Sequence, residues 1–169
     1  TPKRRFIVGS TDKAYLYLTM RRGGNINYAI DVTDRDTPKY LWQISTASSG
    51  FEELGQTWSG MTPVFINPKA IGVDSTKKSI PVLVFGGGYD AEEDLTSESV
   101  RLGQSTGNAI FIVDAMTGAL LWKASSTLSA DLTISQMTNS IASDITPVDN
   151  NGNGNVDILY ASDIGGRLW

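Results

Sequence analysis

The sequence predicts an all-β fold built from repeated four-stranded antiparallel sheets, and three observations carry that prediction. Helix signals are nearly absent along the 169 residues. Runs of four to seven residues rich in β-branched and aromatic types alternate with turns of Gly, Asn, Asp and Pro. The same kinds of run also recur in a fixed order. Tyr28-Ala29-Ile30-Asp31 matches Phe111-Ile112-Val113-Asp114, 83 residues on, and each is followed by Leu-Trp, at Leu41-Trp42 and Leu121-Trp122. Ser59-Gly60-Met61-Thr62-Pro63-Val64 matches Ser143-Asp144-Ile145-Thr146-Pro147-Val148, 84 residues on. Without gaps, Phe6-Ile7-Val8-Gly9 lies on Ile158-Leu159-Tyr160-Ala161, which sets Leu16-Tyr17 on Leu168-Trp169, with Val82-Leu83-Val84-Phe85-Gly86 midway.

Each unit then reads in order. Residues 1–45 form a partial unit, 59–124 a complete one and 142–169 a second partial one. Thr117-Gly118 is the short turn between two strands of the complete unit. Val82 to Phe85 and Ile110 to Val113 are apolar without alternation, the pattern of strands covered on both faces. The acidic stretch 92–101 holds one plausible helical turn and reads as an insertion loop. A four-stranded sheet stacked between copies of itself is a β-propeller blade. The expectation is therefore a partial β-propeller of about two and a half four-stranded antiparallel blades, a piece of a larger propeller, since closure takes about four to eight. Trp42 and Trp122 are expected to pack between blades, and Asp31 and Asp114 to cap turns at strand ends.

Composition removes several classes of function. Absence of cysteine excludes disulfides, thiolate metal sites and a Cys nucleophile within these residues. Absence of histidine excludes a Ser-His-Asp triad and the usual zinc sites, which argues against an enzyme. A net charge of −4 disfavours a nucleic-acid or anionic-membrane partner. No apolar run approaches the ~20 residues of a membrane span, and no signal-peptide pattern is visible.

The most informative stretch is Asp149-Asn150-Asn151-Gly152-Asn153-Gly154-Asn155-Val156-Asp157. Oxygen-bearing side chains recur at every second position, as a hard cation such as Ca²⁺ requires. The spacing follows the odd positions of an EF-hand loop: Asp149, Asn151 and Asn153 by side chain, Asn155 by backbone carbonyl, Asp157 closing. Gly154 falls where that loop turns sharply, but Tyr160 stands where its final Glu would be, and a strand follows rather than a helix. An ordinary Asn/Gly hairpin turn is the alternative reading. The corresponding loop of the complete unit, 67–80, carries three lysines and one Asp, so no cation is expected there.

With these features assembled, the sequence resembles the C-terminal propeller of the PilC/PilY group of type IV pilus tip-associated adhesins. The resemblance runs through Tyr28-Ala29-Ile30-Asp31, Leu54-Gly55-Gln56-Thr57-Trp58-Ser59, Val84-Phe85-Gly86-Gly87-Gly88-Tyr89 and the Asp149 loop. It ends on Tyr160-Ala161-Ser162-Asp163-Ile164-Gly165-Gly166-Arg167-Leu168-Trp169. The resemblance implies a non-enzymatic Ca²⁺-binding protein at the cell surface or pilus tip, exported through the periplasm. It further implies contacts with minor pilins and a host or abiotic surface receptor, in support of pilus assembly, twitching motility and adhesion. In that group Asp usually stands at the position of Asn153, so affinity here is expected near ~10⁻⁴–10⁻³ M. Asp114…Thr117-Gly118…Trp122 also resembles quinone-dependent dehydrogenase propellers, and a metal-free periplasmic assembly scaffold is a further alternative.

Overall fold

The β-branched and aromatic runs form strands, and Gly, Asn, Asp and Pro set the turns between them. The structure, a computed structural model, describes residues 6–8, 11–73, 76–95 and 106–169. A hairpin of β1 (Phe6–Val8) and β2 (Thr11–Lys13) leads, through Ala14 alone, into a three-stranded antiparallel sheet of β3 (Tyr15–Thr19), β4 (Asn27–Asp31) and β5 (Lys39–Ile44). The second sheet orders β6 (Thr62–Ile66), β7 (Ile80–Gly86), β8 (Ala109–Asp114) and β9 (Leu120–Ser125) antiparallel. A short β10 (Leu132–Thr133), not expected from the sequence, runs parallel along β9. β11 (Thr146–Val148) and β12 (Ile158–Tyr160) make the final hairpin, extended by an isolated bridge between Ser162 and Leu168. Among the described residues the only helical segments are 3-10 turns at Arg21–Gly23, Pro68–Ile71 and Ala91–Asp94. The last opens the acidic insertion, where the Asp90 carboxylate accepts the Glu92 N–H at 3.0 Å; residues 96–101 of that insertion lie outside the described residues.

The repeat extends to backbone irregularities. β4 and β5 slip register between Ala29 and Ile30, where Ala29 pairs with Trp42 and Ile30 with Tyr40. β8 and β9 slip between Ile112 and Val113, where Ile112 pairs with Trp122 and Val113 with Leu120. The shared bulge makes Trp42 and Trp122 equivalent. It also corrects the ungapped alignment of the first strand. Tyr15 faces Asp31 as Val82 faces Asp114, so Tyr15–Thr19, not Phe6 to Gly9, is the counterpart of β7. In the third copy Thr146 faces Tyr160 as Thr62 faces Val84, which shifts the expected register by one residue. Trp169 exchanges backbone bonds with Ala161 and so stands where Phe111 does, not where Tyr17 does. The misalignment arises from unequal loops: 20–26 joins β3 to β4, whereas 87–108 joins β7 to β8.

Burial explains the unbroken apolar runs. Val82, Leu83, Val84 and Phe85 are all fully buried, as are Phe111 and Val113. Leu83, Phe85, Phe111 and Val113 pack toward Ala29, Trp42 and Ile44 of the first sheet. Val82, Val84, Ile110 and Ile112 pack on the opposite side with Met137, Ile141, Ile145 and Ala161. The central strands β7 and β8 are thus covered on both faces. In β3 the equivalents of Leu83 and Phe85 are Leu16 and Leu18, which are exposed.

Trp42 fills the seam between the first two sheets. It stacks on Tyr17 at 6.0 Å between centroids, and the Tyr17 hydroxyl donates to the Ala115 carbonyl at 3.0 Å. Its ring lies over the β8–β9 turn, where Asp114 Oδ1 accepts the Met116 and Thr117 N–H groups, both at 2.9 Å. A second tie is buried: Lys123 Nζ donates to both Glu53 oxygens, at 3.0 and 3.2 Å, and to the Gly50 carbonyl at 3.1 Å. Burial pushes the Glu53 carboxyl up, but bonds from Lys123 and Thr127 outweigh it and hold the group below its usual range.

Gly118 has φ +72°, and an added Cβ would meet the Trp42 ring at 2.7 Å, whereas at Gly72 (φ +74°) it would meet nothing within 4 Å. Gly72→Ala is expected to cost about 1–2 kcal/mol from the left-handed backbone alone. Gly118→Ala is expected to cost about 2–4 kcal/mol, because overpacking against Trp42 adds to that strain. Urea unfolding of both variants measures the difference, and equal losses would show that Trp42 does not seal this seam.

Candidate metal centre

The loop between β11 and β12 is shaped by its own side-chain oxygens. Asp149 directly follows β11, and its carboxylate turns into the loop to collect N–H groups. Oδ1 accepts from Gly152 at 2.7 Å and Asn153 at 3.2 Å, and Oδ2 from Gly154 at 2.7 Å. Asn151 Oδ1 accepts the Asn153 N–H at 3.0 Å, and Asn153 Oδ1 the Asn155 N–H at 2.8 Å. Left-handed glycines, Gly152 at φ 73° and Gly154 at φ 86°, make the turns that aim these N–H groups inward. At the far end Asp157 Oδ2 accepts the Asn150 N–H at 3.0 Å, and the Asp157 N–H returns to the Val148 carbonyl at 2.9 Å.

All five residues expected to ligate therefore share one loop, and four keep side-chain oxygens within it. Asn151 departs from the expectation in part: its Nδ2 donates to both Asp157 oxygens, at 3.0 and 3.2 Å, so an N–H group faces the closing carboxylate. At Asn155 the side-chain Oδ1 is also a buried oxygen without a hydrogen-bond partner. A buried acceptor left unpaired is costly and suits a positive partner. Among the described residues no three His, Cys, Asp or Glu side chains are placed so that they alone could hold a metal ion. The donor set is two carboxylates plus amide oxygens, all hard ligands that fit a cation such as Ca²⁺.

The comparable loop of the second sheet folds otherwise. Asn67 Oδ1 accepts the Lys69 N–H at 3.1 Å to cap the turn Pro68–Ile71, and the loop's only Asp, Asp74, lies outside the described residues. Asp34 makes a local turn, accepting the Asp36 N–H at 3.0 Å and the Thr37 hydroxyl. One polar centre escaped sequence reasoning. Asp163 is buried and accepts from the Arg167 N–H at 2.9 Å and from Trp169 Nε1 at 3.2 Å. The signal was present as Asp followed by Gly165-Gly166 and a closing Trp, a carboxylate that organises its own turn.

No family model matches the chain. The chain is 26% identical over 151 residues to the type IV pilus biogenesis factor PilY1 of Pseudomonas aeruginosa strain UCBPP-PA14, covering 89% of this chain. It is 28% identical over 151 residues to the PilY1 of strain PAK. The crystal structure of the P. aeruginosa PilY1 C-terminal domain superposes with a TM-score of 0.67 at 26% identity, covering 98% of this chain and 28% of that one. These likenesses support the resemblance to the PilC/PilY family. It spans about a tenth of the length of these PilY1 relatives, 10% in each. The PilY1 likeness also supports the all-β class with its antiparallel sheets. Among the described residues no helix is long and apolar enough to cross a membrane.

The N–H bonds of Gly154, Gly152, Asn153 and Asn151 hold the Asp149 carboxyl below the usual carboxylate range, the Gly154 bond contributing most. A depressed carboxyl gives order that is complete above its ordinary pKa and lost as pH falls through the lowered value. The Gly152 and Gly154 amide resonances are expected to hold steady down to the ordinary Asp range and to move together below it. Movement already complete above that range would mean the carboxylate does not hold them.

Proposed function

We propose that this chain is part of a type IV pilus biogenesis protein and that its β11–β12 loop binds one Ca²⁺. The carrying observation is the convergence of Asp149, Asn151, Asn153, Asn155 and Asp157 on one nine-residue loop whose N–H groups are already satisfied internally. The named role of the PilY1 relatives supports the pilus assignment. In this reading the protein acts outside the cytoplasm, at the cell surface or pilus tip. Its partners are minor pilins and a surface receptor, and its work is assembly, twitching motility and adhesion rather than catalysis.

The cation would neutralise two carboxylates at the ends of an exposed loop, so its effect on the fold is local. Occupancy at ten times Kd adds about 1.4 kcal/mol. Mg²⁺ competes poorly, because it demands tighter octahedral geometry and releases water reluctantly.

Calorimetric titration of the full-length protein tests this. Asp149→Ala is expected to abolish calcium binding at this loop while leaving the circular dichroism spectrum unchanged. Asn153→Asp is expected to tighten binding by roughly tenfold, by adding a charge at short range. Cells carrying Asp149→Ala are expected to show altered surface piliation and twitching. Unchanged calcium affinity in Asp149→Ala would remove the site, and normal piliation and twitching would separate it from the pilus role.

A further inference from the structure

The loop contains two Asn-Gly pairs, Asn151-Gly152 and Asn153-Gly154, and all four residues are exposed. Glycine after asparagine leaves the following backbone nitrogen unshielded by a side chain. Its conformational freedom lets that nitrogen reach the asparagine side-chain carbonyl carbon. Both glycine N–H groups are held by Asp149 at 2.7 Å, so this restraint is common to the two pairs. The asparagines themselves are held differently. Asn151 is anchored at both ends of its amide, by the Asn153 N–H on Oδ1 and by the Asp157 carboxylate on Nδ2. The Asn153 side-chain amide is held, among the described residues, by one bond alone, from the Asn155 N–H to Oδ1.

We propose that Asn153 is a spontaneous deamidation site whose conversion to aspartate gives the loop a third carboxylate. The Gly154 backbone nitrogen, freed from Asp149, loses its proton to solvent and attacks Asn153 Cγ. A nitrogen–Cγ bond forms, the Cγ–Nδ2 bond breaks, and the amide leaves as ammonia. Water then opens the five-membered imide. Cleavage of the bond between ring nitrogen and Cγ restores the normal backbone with aspartate at 153. Cleavage on the main-chain carbonyl side gives isoaspartate, with the chain routed through Cγ. One water is consumed and one ammonia released, with no change of oxidation state.

The consequence for metal affinity rests on the calcium reading: aspartate at 153 adds charge at an expected ligand position, whereas isoaspartate lengthens the backbone and breaks the alternate-residue register. The chemistry itself does not depend on a cation. Full-length protein held at mildly alkaline pH with a calcium chelator is digested after Lys123 and Arg167, and the intervening peptide is sequenced by mass spectrometry. Aspartate and isoaspartate are expected at 153 roughly tenfold faster than at 151, where a charge-assisted hydrogen bond must break first. Asp157→Ala is expected to raise the rate at 151 toward that at 153, and Asn153→Gln to confine conversion to 151. Equal rates in the native loop, conversion at 151 first, or an unmoved rate at 151 in Asp157→Ala would overturn the proposal. So would absence of conversion at both pairs over a time in which a free peptide of residues 149–157 converts. If the order holds but Asn153→Asp binds calcium no more tightly, the calcium reading fails and the modification site stands.

Discussion

The constraint on which the structure depends is that β7 and β8 are apolar on both faces. A sheet of that kind cannot present either side to water, because each buried Val, Leu, Ile or Phe contributes about 1.5–3 kcal/mol only while it stays covered. The chain meets the requirement by placing a related sheet on each side. Leu83, Phe85, Phe111 and Val113 face one neighbour, and Val82, Val84, Ile110 and Ile112 face the other. Because strand side chains alternate, the two sets interleave along the same two strands. Trp42 and Trp122 follow from the same rule. Each sits at a bulge on the last strand of its antiparallel unit and points at the next sheet, Trp42 over Gly118 and Trp122 within the second core.

Apolar stacking alone leaves the angle between sheets soft, and directional bonds fix it. The segment 50–54 crosses from the first sheet to the second and is pinned by Lys123 from β9. A buried ammonium without a partner would be very costly. The Glu53 carboxylate, the Gly50 carbonyl and the hydroxyls of Ser125 and Thr127 form one connected set around it. These groups favour one arrangement because any slip leaves a charge unpaired. The set stays intact at neutral pH, since Glu53 titrates below its ordinary range and its stabilisation is lost only as pH falls through that lowered value.

The order of strands was legible because β-branched runs, turn residues and the Leu-Trp pairs repeat. The exact correspondence of the first copy was not. Loops between equivalent strands differ by many residues at little entropic cost, so an ungapped comparison has no reason to keep step. Tyr15-Leu16-Tyr17 also alternates polar and apolar character where Val82-Leu83-Val84 does not, because only one face of β3 is covered. The loop was legible for the opposite reason. Its oxygen-bearing residues act on the backbone within seven positions, as Asp149 does on Gly152 and Gly154 and Asp157 on Asn150, so spacing alone specifies it. What spacing could not show was the Asn151 amide turned toward Asp157, or the buried Asn155 oxygen, since both depend on side-chain rotation and on neighbouring strands.

The loop is local in its bonding but not isolated. β6 is the end strand of the second sheet, and its outer side is an edge of the kind that invites wrong pairing. On that outer side the Phe65 carbonyl accepts the Val156 N–H at 2.8 Å. Val156 lies between Asn155 and Asp157, so whatever orders the end of the loop also orders the group that caps this edge. A loop drawn closed by its two carboxylates holds Val156 against β6, and one that opens at Asp157 releases it. The Asp157 N–H bond to the Val148 carbonyl sits beside this contact, so the loop end is tied to β11 on one side and, through Val156, to the edge of the second sheet on the other.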